Sequence, residues 1–194
     1  MPTSIDTSID TGAQIDVASG STGLRNLYYV RFGFAIVWAG LVVLVASTLN
    51  PASIGLLVIY PLFDAAAAVI DFRTSGTSRP RTPLYLNMAL SFLTFLGLAA
   101  AATSGIPSVL TVWGAWAITA GIVQLVVAIL RRRLGGQWAM ILSGAISVVA
   151  GASFVLQAGG KASSLTNIAG YATLGGIFFL VSAIRLHRRA TLRK

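Results

Sequence analysis

The chain has no cysteine and only one histidine among its 194 residues. Without cysteine, disulfides, thiolate metal sites and thiol nucleophiles are excluded. The one histidine, His187, lies in a basic stretch near the C-terminus, so histidine-based metal sites and catalytic triads lack the residues they need. A glycine-rich phosphate loop, an HExxH motif and a nucleophile elbow are also missing. We therefore expect no catalytic residue, no metal site, no cofactor and no enzymatic activity.

Charge is scarce as well. Charged residues make up 10% of the chain and apolar residues 56%, whereas a soluble domain carries roughly a quarter charged residues. The mean hydropathy is +0.82. This composition is typical of a membrane protein.

The net charge of +9 is strongly basic. Its arginines are spread over several separate segments, and only Tyr28 and Tyr29, between Arg25 and Arg31, offer aromatic rings within such a segment. We expect no nucleic-acid partner. The expected partners are the lipid bilayer and the anionic lipid headgroups of its cytoplasmic side, which attract each nearby basic residue by about 1 kcal/mol.

Six apolar stretches fill most of the chain, at residues 28–48, 52–72, 84–102, 109–130, 137–156 and 165–186. Each has about the 20 residues that cross a hydrocarbon core as a helix. Backbone groups in lipid must find their partners within their own segment, so helices are the expected form. The sequence predicts an all-α membrane protein with six transmembrane helices.

Positive charge lies at alternate joints between these stretches. Three joints are nearly uncharged: Asn50-Pro51, residues 104–107, and a joint with only Lys161. The other segments hold the arginines: Arg25, Arg31, Arg73, Arg79, Arg81, Arg131, Arg132, Arg133, Arg185, Arg188, Arg189 and Arg193, with Lys194 at the end. Because cationic loops stay in the cytoplasm during insertion, we expect a multi-pass protein of the bacterial inner membrane with both termini cytoplasmic.

The domain division follows from these stretches. Residues 1–27 are polar and acidic and are predicted to form a disordered cytoplasmic tail. Residues 28–187 form the six-helix domain, and residues 188–194 a basic cytoplasmic tail. Within the domain, three hairpin repeats are predicted at about 28–73, 84–133 and 137–187. They would run parallel to one another, related by an axis along the membrane normal.

Glycines support the repeat and mark predicted helix contacts. Gly33 and Gly40 have the same spacing as Gly144 and Gly151, and small residues mark the faces where helices meet in lipid. The predicted packing set is Gly33, Gly40, Gly144, Gly151, Gly175 and Gly176. Glycine hinges in a gate are the alternative. Tryptophans near helix ends are predicted as interfacial anchors: Trp38, Trp113, Trp116 and Trp138.

Asp64 is the residue most suited to chemistry. It lies about eight residues, or roughly 12 Å, inside the cytoplasmic end of the second helix, where an ionised carboxylate costs at least about 2.5 kcal/mol. Tyr60 precedes it by one turn, and Pro61 can kink the helix beside it. One hypothesis makes Asp64, Tyr60 and Arg31 an ion- or proton-binding site; the other makes Asp64 a structural partner of Arg31. Arg31 could instead extend its side chain to the cytoplasmic headgroups without pairing with Asp64.

The glycine pattern also resembles a family. Arg31-Phe-Gly33 through Ala39-Gly40, then Pro51 and an arginine-ended helix, is repeated as Ser143-Gly144 through Gly151 and Ala169-Gly170-Tyr171 through Gly176. This resembles the HdeD-like acid-resistance membrane proteins over residues 28–189. The resemblance implies six helices and a role in acid stress or envelope integrity, with no catalytic residues. Pro61 and Asp64 depart from the family's pattern. The alternatives are a small channel or proton-coupled transporter using Asp64, and an assembly partner or homo-oligomer.

Overall fold

The computed structural model describes residues 7–74, 81–130, 132–134, 137–160 and 163–191. These residues are almost entirely helical and include no strand. The six helices are α1 (Thr7–Val45), α2 (Pro51–Thr74), α3 (Arg81–Ala101), α4 (Ile106–Leu130), α5 (Trp138–Ala158) and α6 (Thr166–Thr191). Two single turns of 3-10 helix lie at Ala102–Ser104 and Arg132–Leu134.

Each of the six helices contains a segment long and apolar enough to cross a membrane. The segments are Thr22–Val45, Pro51–Arg73, Thr82–Ser104, Ile106–Leu130, Trp138–Ala158 and Thr166–Arg188. Large apolar side chains cover the outside of the bundle, for example Leu44 and Leu130, both 78% exposed. Such a surface requires hydrocarbon around it. The prediction of an all-α protein with six transmembrane helices is confirmed.

Local sequence explains the breaks between helices. The Asn50 backbone N–H donates to Ser53 Oγ at 2.9 Å, and the Ser53 N–H donates to Asn50 Oδ1 at 3.0 Å. This reciprocal pair satisfies two donors at the start of α2, and Pro51 fits the first helical position. Gly105 separates α3 from α4 with a φ of 97°, a conformation that glycine adopts without strain.

The six helices form a ring in chain order, closed by α1 against α6. The most extensive contact joins α4 and α5, followed by α1 with α6 and α2 with α3. The predicted hairpin pairs α1–α2, α3–α4 and α5–α6 also contact one another, but less extensively. The repeated-hairpin arrangement stays a prediction.

Consecutive helices run in opposite directions, so the bundle has two distinct ends. At the end that we call the basic end, Arg25 Nη1 lies 3.5 Å from His187 Nδ1. At the far end, Asn167 Nδ2 donates to Gln157 Oε1 at 2.7 Å. Several residues of the predicted charge pattern lie outside the described residues: Arg79, Arg131, Lys161, Arg193 and Lys194.

Glycines make the α4–α5 contact possible. A Cβ at Gly151 would lie 2.6 Å from the Gly114 carbonyl oxygen, and a Cβ at Gly144 would lie 2.9 Å from the Gly121 carbonyl oxygen. Only residues without a side chain allow two backbones to approach this closely. On the other side of the bundle, Gly176 of α6 faces Ala35 of α1, with 3.1 Å between the built Cβ and Ala35 Cβ.

Three of the predicted packing glycines are not in such contacts. A Cβ added to Gly33, Gly40 or Gly175 would meet no atom within 4 Å. The packing role predicted for them is wrong because these glycines face open space, towards the lipid side or a cavity. The partner glycines Gly114 and Gly121, which the packing set omitted, are the ones that α5 contacts.

The predicted N-terminal boundary also differs. Helix α1 begins at Thr7, and Leu24 and Leu27 are each only 7% exposed. A disordered tail reaching residue 27 is therefore wrong, because these leucines, three positions apart, pack one face of the helix against the bundle. Residues 1–6 of that tail lie outside the described residues, and residues 188–191 of the predicted C-terminal tail belong to α6.

Candidate functional site

An ion pair lies inside the bundle between α1 and α2. Arg31 Nη2 is 3.3 Å from Asp64 Oδ1, with the side chains 13% and 19% exposed. The same Nη2 donates to the Asp64 backbone carbonyl at 3.4 Å. The structure thus brings together Arg31 and Asp64, as both sequence hypotheses require.

Helix α3 supplies two more donors to the carboxylate. Asn87 Nδ2 donates to Asp64 Oδ2 at 2.9 Å, and Ser91 Oγ donates to the same oxygen at 2.7 Å. Asn87 and Ser91 are four residues apart and so lie on one face of the helix. Both carboxylate oxygens therefore have partners, which offsets much of the cost of a charge within the membrane. Sequence reasoning missed Ser91; its spacing from Asn87 was the available signal.

The guanidinium of Arg31 also faces an aromatic ring. Its Cζ lies 4.9 Å from the ring centroid of Phe179 on α6, a distance at which a cation–π attraction operates. Tyr28 packs against the same ring, with centroids 5.6 Å apart. The Nε atom of Arg31 is buried and has no hydrogen-bond partner among the described residues. Arg31 and its partners thus connect α1, α2, α3 and α6.

An aromatic cluster fills the bundle on the far-end side of the ion pair. Tyr60 contacts Trp38, Trp113 and Trp116, with ring centroids 4.5, 5.6 and 6.1 Å apart. The three tryptophans are at most 8% exposed, and Trp38 Nε1 donates to the Leu56 carbonyl at 2.6 Å. The prediction of interfacial anchors is wrong for these three, because they face one another across the bundle. Trp138, 80% exposed, lies at the surface of α5.

A central cavity of about 300 Å³ lies between this cluster and the basic end. All six helices contribute to its wall. Its polar lining comprises Arg31, Tyr60, Asp64, Asn87, Gln124, Ser143, Ser147, Tyr171 and Ser182, with Tyr28 nearest the basic end. Tyr171 Oη and Ser147 Oγ are hydrogen bonded at 3.1 Å. The cavity can therefore offer both donors and acceptors to a polar group.

The cavity is blind. On α4 its wall runs from Trp116 to Gln124, which is about 12 Å along the helix axis towards the basic end. Beyond Trp116, towards the far end, the interior is filled by Leu57, Leu110, Trp113 and Ile168, each at most 1% exposed. A solute in the cavity would contact Asp64 and would be stopped on the far side by the aromatic cluster.

Tyr60 has two surroundings. Its ring belongs to the aromatic cluster and also lines the cavity, so it separates the polar space from the closed half.

Within the part of the chain that the structure describes, no group of three or more His, Asp or Glu side chains could hold a metal ion.

Comparison of the chain with protein-family models, with curated protein sequences and with solved structures found no match. The helices and the cavity therefore carry the functional argument alone. They define the class: a multi-pass integral membrane protein with six apolar helices.

Proposed function

We propose that this membrane protein is a non-enzymatic carrier that binds a small zwitterionic group in its central cavity. The observation that supports this most is the blind cavity of about 300 Å³ with Arg31 and Asp64 in its wall. Binding sites for small molecules have volumes of roughly 300–1,000 Å³ and a few convergent polar groups, so the cavity has the size of a small site.

The charges of the cavity favour a zwitterion. Arg31 and Asp64 are its only charged lining residues among those described, one of each sign. A solute with a net charge would bring an uncompensated charge into a region of low dielectric, which costs several kcal/mol. A zwitterion can place its anionic group near the guanidinium and its ammonium near the carboxylate.

The closed far half of the bundle favours a carrier over a channel. Conduction needs a continuous polar path, whereas buried side chains occupy the far half, with Trp38 and Trp113 at most 2% exposed. A carrier opens its site to one side at a time. We propose that the cavity opens towards the basic end, as in a carrier that faces one side of the membrane. The alternative is a proton-coupled carrier in which Asp64 binds the proton. Applying a pH gradient in the labelling experiments described below would test it.

The cellular setting is proposed from the charge pattern and the family resemblance. The arginines of the basic end support a cytoplasmic position for that end and for both termini, in a bacterial inner membrane facing anionic lipids. The HdeD-like glycine pattern supports a role in acid stress or envelope integrity. Loss of acid survival on deletion of the gene, restored by the unchanged chain and not by Asp64→Asn, would connect that role to the cavity.

Binding can be tested by protection of an engineered cysteine, since the chain has none of its own. Ser143 lines the cavity. We expect glycerophosphoethanolamine, a small zwitterion whose phosphodiester and ammonium charges cancel, to slow maleimide labelling of Ser143→Cys by about tenfold near saturation. Thr103→Cys, exposed near the far end, is the control and should be unaffected.

Adding Asp64→Asn to Ser143→Cys should remove most of the protection, because one half of the charge complement is lost. Absence of protection at millimolar glycerophosphoethanolamine, or equal protection in the Asp64→Asn background, would contradict the proposed binding site.

A further inference from the structure

We propose that the zwitterionic group is the headgroup of a membrane phospholipid, which reaches the cavity sideways through an opening between α5 and α6. This inference rests on the proposed function and names the source of its ligand. We call this opening the lateral opening; it is lined by Met140, Ser143 and Ile146 on α5 and by Leu174, Gly175 and Phe178 on α6.

Helices α5 and α6 diverge towards the basic end. They contact each other least of all consecutive helix pairs. Among the described residues, the hydrogen bonds and the ring contact between them lie in the far half: Gln157 with Asn167 at 2.7 Å, Phe154 with Tyr171 at 5.8 Å between ring centroids, and Ser147 with Tyr171 at 3.1 Å. The residues of the lateral opening lie on the basic-end side of these contacts.

Each helix is held by its other neighbour. The Gly144 and Gly151 contacts fix α5 against α4, and Gln124 Nε2 of α4 donates to the Met140 carbonyl of α5 at 3.1 Å. Helix α6 is fixed against α1 through Gly176 and Phe179. Helix α5 packs tightly against α4, and α6 packs tightly against α1. The bundle therefore holds α5 and α6 apart and leaves a gap between them.

The lateral opening faces hydrocarbon. Met140 and Leu174 line the cavity and are 37% and 46% exposed, which is compatible with a gap in the wall at this place. Both lie within the spans Trp138–Ala158 and Thr166–Arg188. At that depth the surrounding solvent is lipid acyl chain, so an apolar gap in the wall is accessible first to lipid.

The headgroup of a phospholipid is small and polar, whereas its acyl chains are long and apolar, so the two parts need different surroundings. A volume of about 300 Å³ corresponds to roughly ten water molecules at about 30 Å³ each, which suffices for a phosphoethanolamine headgroup and not for two acyl chains. The chains must therefore remain outside, and the apolar side chains of Ile146, Leu174 and Phe178 offer them a path between the helices.

The test is retention of lipid by the full chain. The protein is reconstituted in vesicles of equal parts phosphatidylethanolamine and phosphatidylglycerol, extracted in mild detergent and weighed by native mass spectrometry. We expect one phosphatidylethanolamine per chain, retained about tenfold more often than the net-anionic phosphatidylglycerol.

Two glycines of α6 give a matched pair of variants. A Cβ at Gly175 or at Gly170 would meet nothing within 4 Å, so neither change creates a clash at that atom. Gly175 lines the cavity, whereas Gly170 is exposed and does not. Gly175→Leu should lower retention by about tenfold or more by filling the lateral opening, while Gly170→Leu should retain lipid as the unchanged protein does. Ser143→Leu, on the α5 side, serves if Gly175→Leu fails to fold.

The outcomes separate the two proposals. Loss of retention in Gly175→Leu or Ser143→Leu, with Gly170→Leu unaffected, supports access from the lipid. Lateral access is overturned if the unchanged protein retains no phosphatidylethanolamine or retains phosphatidylglycerol equally. It is also overturned if the variants that fill the opening retain as much phosphatidylethanolamine as the unchanged protein does. If glycerophosphoethanolamine still protects Ser143→Cys in those cases, the zwitterion site stands and its ligand comes from water.

Discussion

The two sides of α5 are held in different ways. On the α4 side, glycine backbones lie in direct contact, with 2.6 Å between a Cβ built at Gly151 and the Gly114 carbonyl oxygen. On the α6 side, the helices diverge and a cavity of about 300 Å³ remains. Around that cavity, the Arg31–Asp64 pair and its two donors from α3 link the helices instead. Close backbone packing joins α5 to α4, whereas a polar network lines the cavity in which we propose that a ligand binds.

The largest effect should come from breaking the polar side. Arg31→Met removes the cationic partner of Asp64 and leaves a buried carboxylate with only neutral donors. We expect a loss of about 3–5 kcal/mol in the free energy of unfolding, measured by denaturant titration in mixed micelles. Arg31→Met combined with Asp64→Asn should recover most of it. A double variant as unstable as Arg31→Met alone would show that the two charges are not coupled.

An added methyl group on the packed side should have the next largest effect. In Gly151→Ala, the new Cβ lies within 2.8 Å of both the Gly114 carbonyl oxygen and the Ile118 backbone nitrogen. Backbone atoms cannot turn away as a side chain can, so we expect a loss of about 1–3 kcal/mol from overpacking. Gly33→Ala, with open space around its Cβ, should change the thermal unfolding temperature little. Equal losses in the two variants would contradict the glycine contact.

The smallest effect concerns a single hydroxyl. Ser91→Ala removes the 2.7 Å hydrogen bond to Asp64, and we expect a loss of about 1 kcal/mol. Ser182 also lines the cavity, but its hydroxyl donates to the Phe178 carbonyl of its own helix at 2.8 Å. Ser182→Ala should therefore cost less than Ser91→Ala in the same unfolding titration. The reverse order would indicate that the bond to Asp64 adds little.

The sequence was sufficient for the six helices, and it offered Arg31 as one possible partner of Asp64. Hydrocarbon length fixes where apolar stretches begin and end, and a carboxylate at that depth needs a partner, which is why the predicted spans and the Arg31 pair agree with the structure. These constraints act within one segment or on one charge.

The lateral arrangement of the helices was much less predictable. Gly40 and Gly151 hold corresponding positions in the predicted repeat, yet only Gly151 faces another backbone, because the direction a helix presents to its neighbours depends on its rotation in the bundle. Likewise, Trp38, Trp113 and Trp116 resemble interfacial anchors by position but meet in the interior. Tertiary packing determines which glycines and tryptophans face the interior, and a single sequence contains little information about that packing.

The most direct test of the blind cavity is the side from which it can be labelled. Ser143→Cys and Thr103→Cys, each in the otherwise cysteine-free chain, are exposed to a membrane-impermeant maleimide in sealed vesicles of both orientations. We predict that Ser143→Cys reacts only from the side of the basic end and Thr103→Cys only from the opposite side. Reaction of Ser143→Cys from both sides would indicate an open pore, and reaction from neither would mean that no aqueous cavity reaches Asp64.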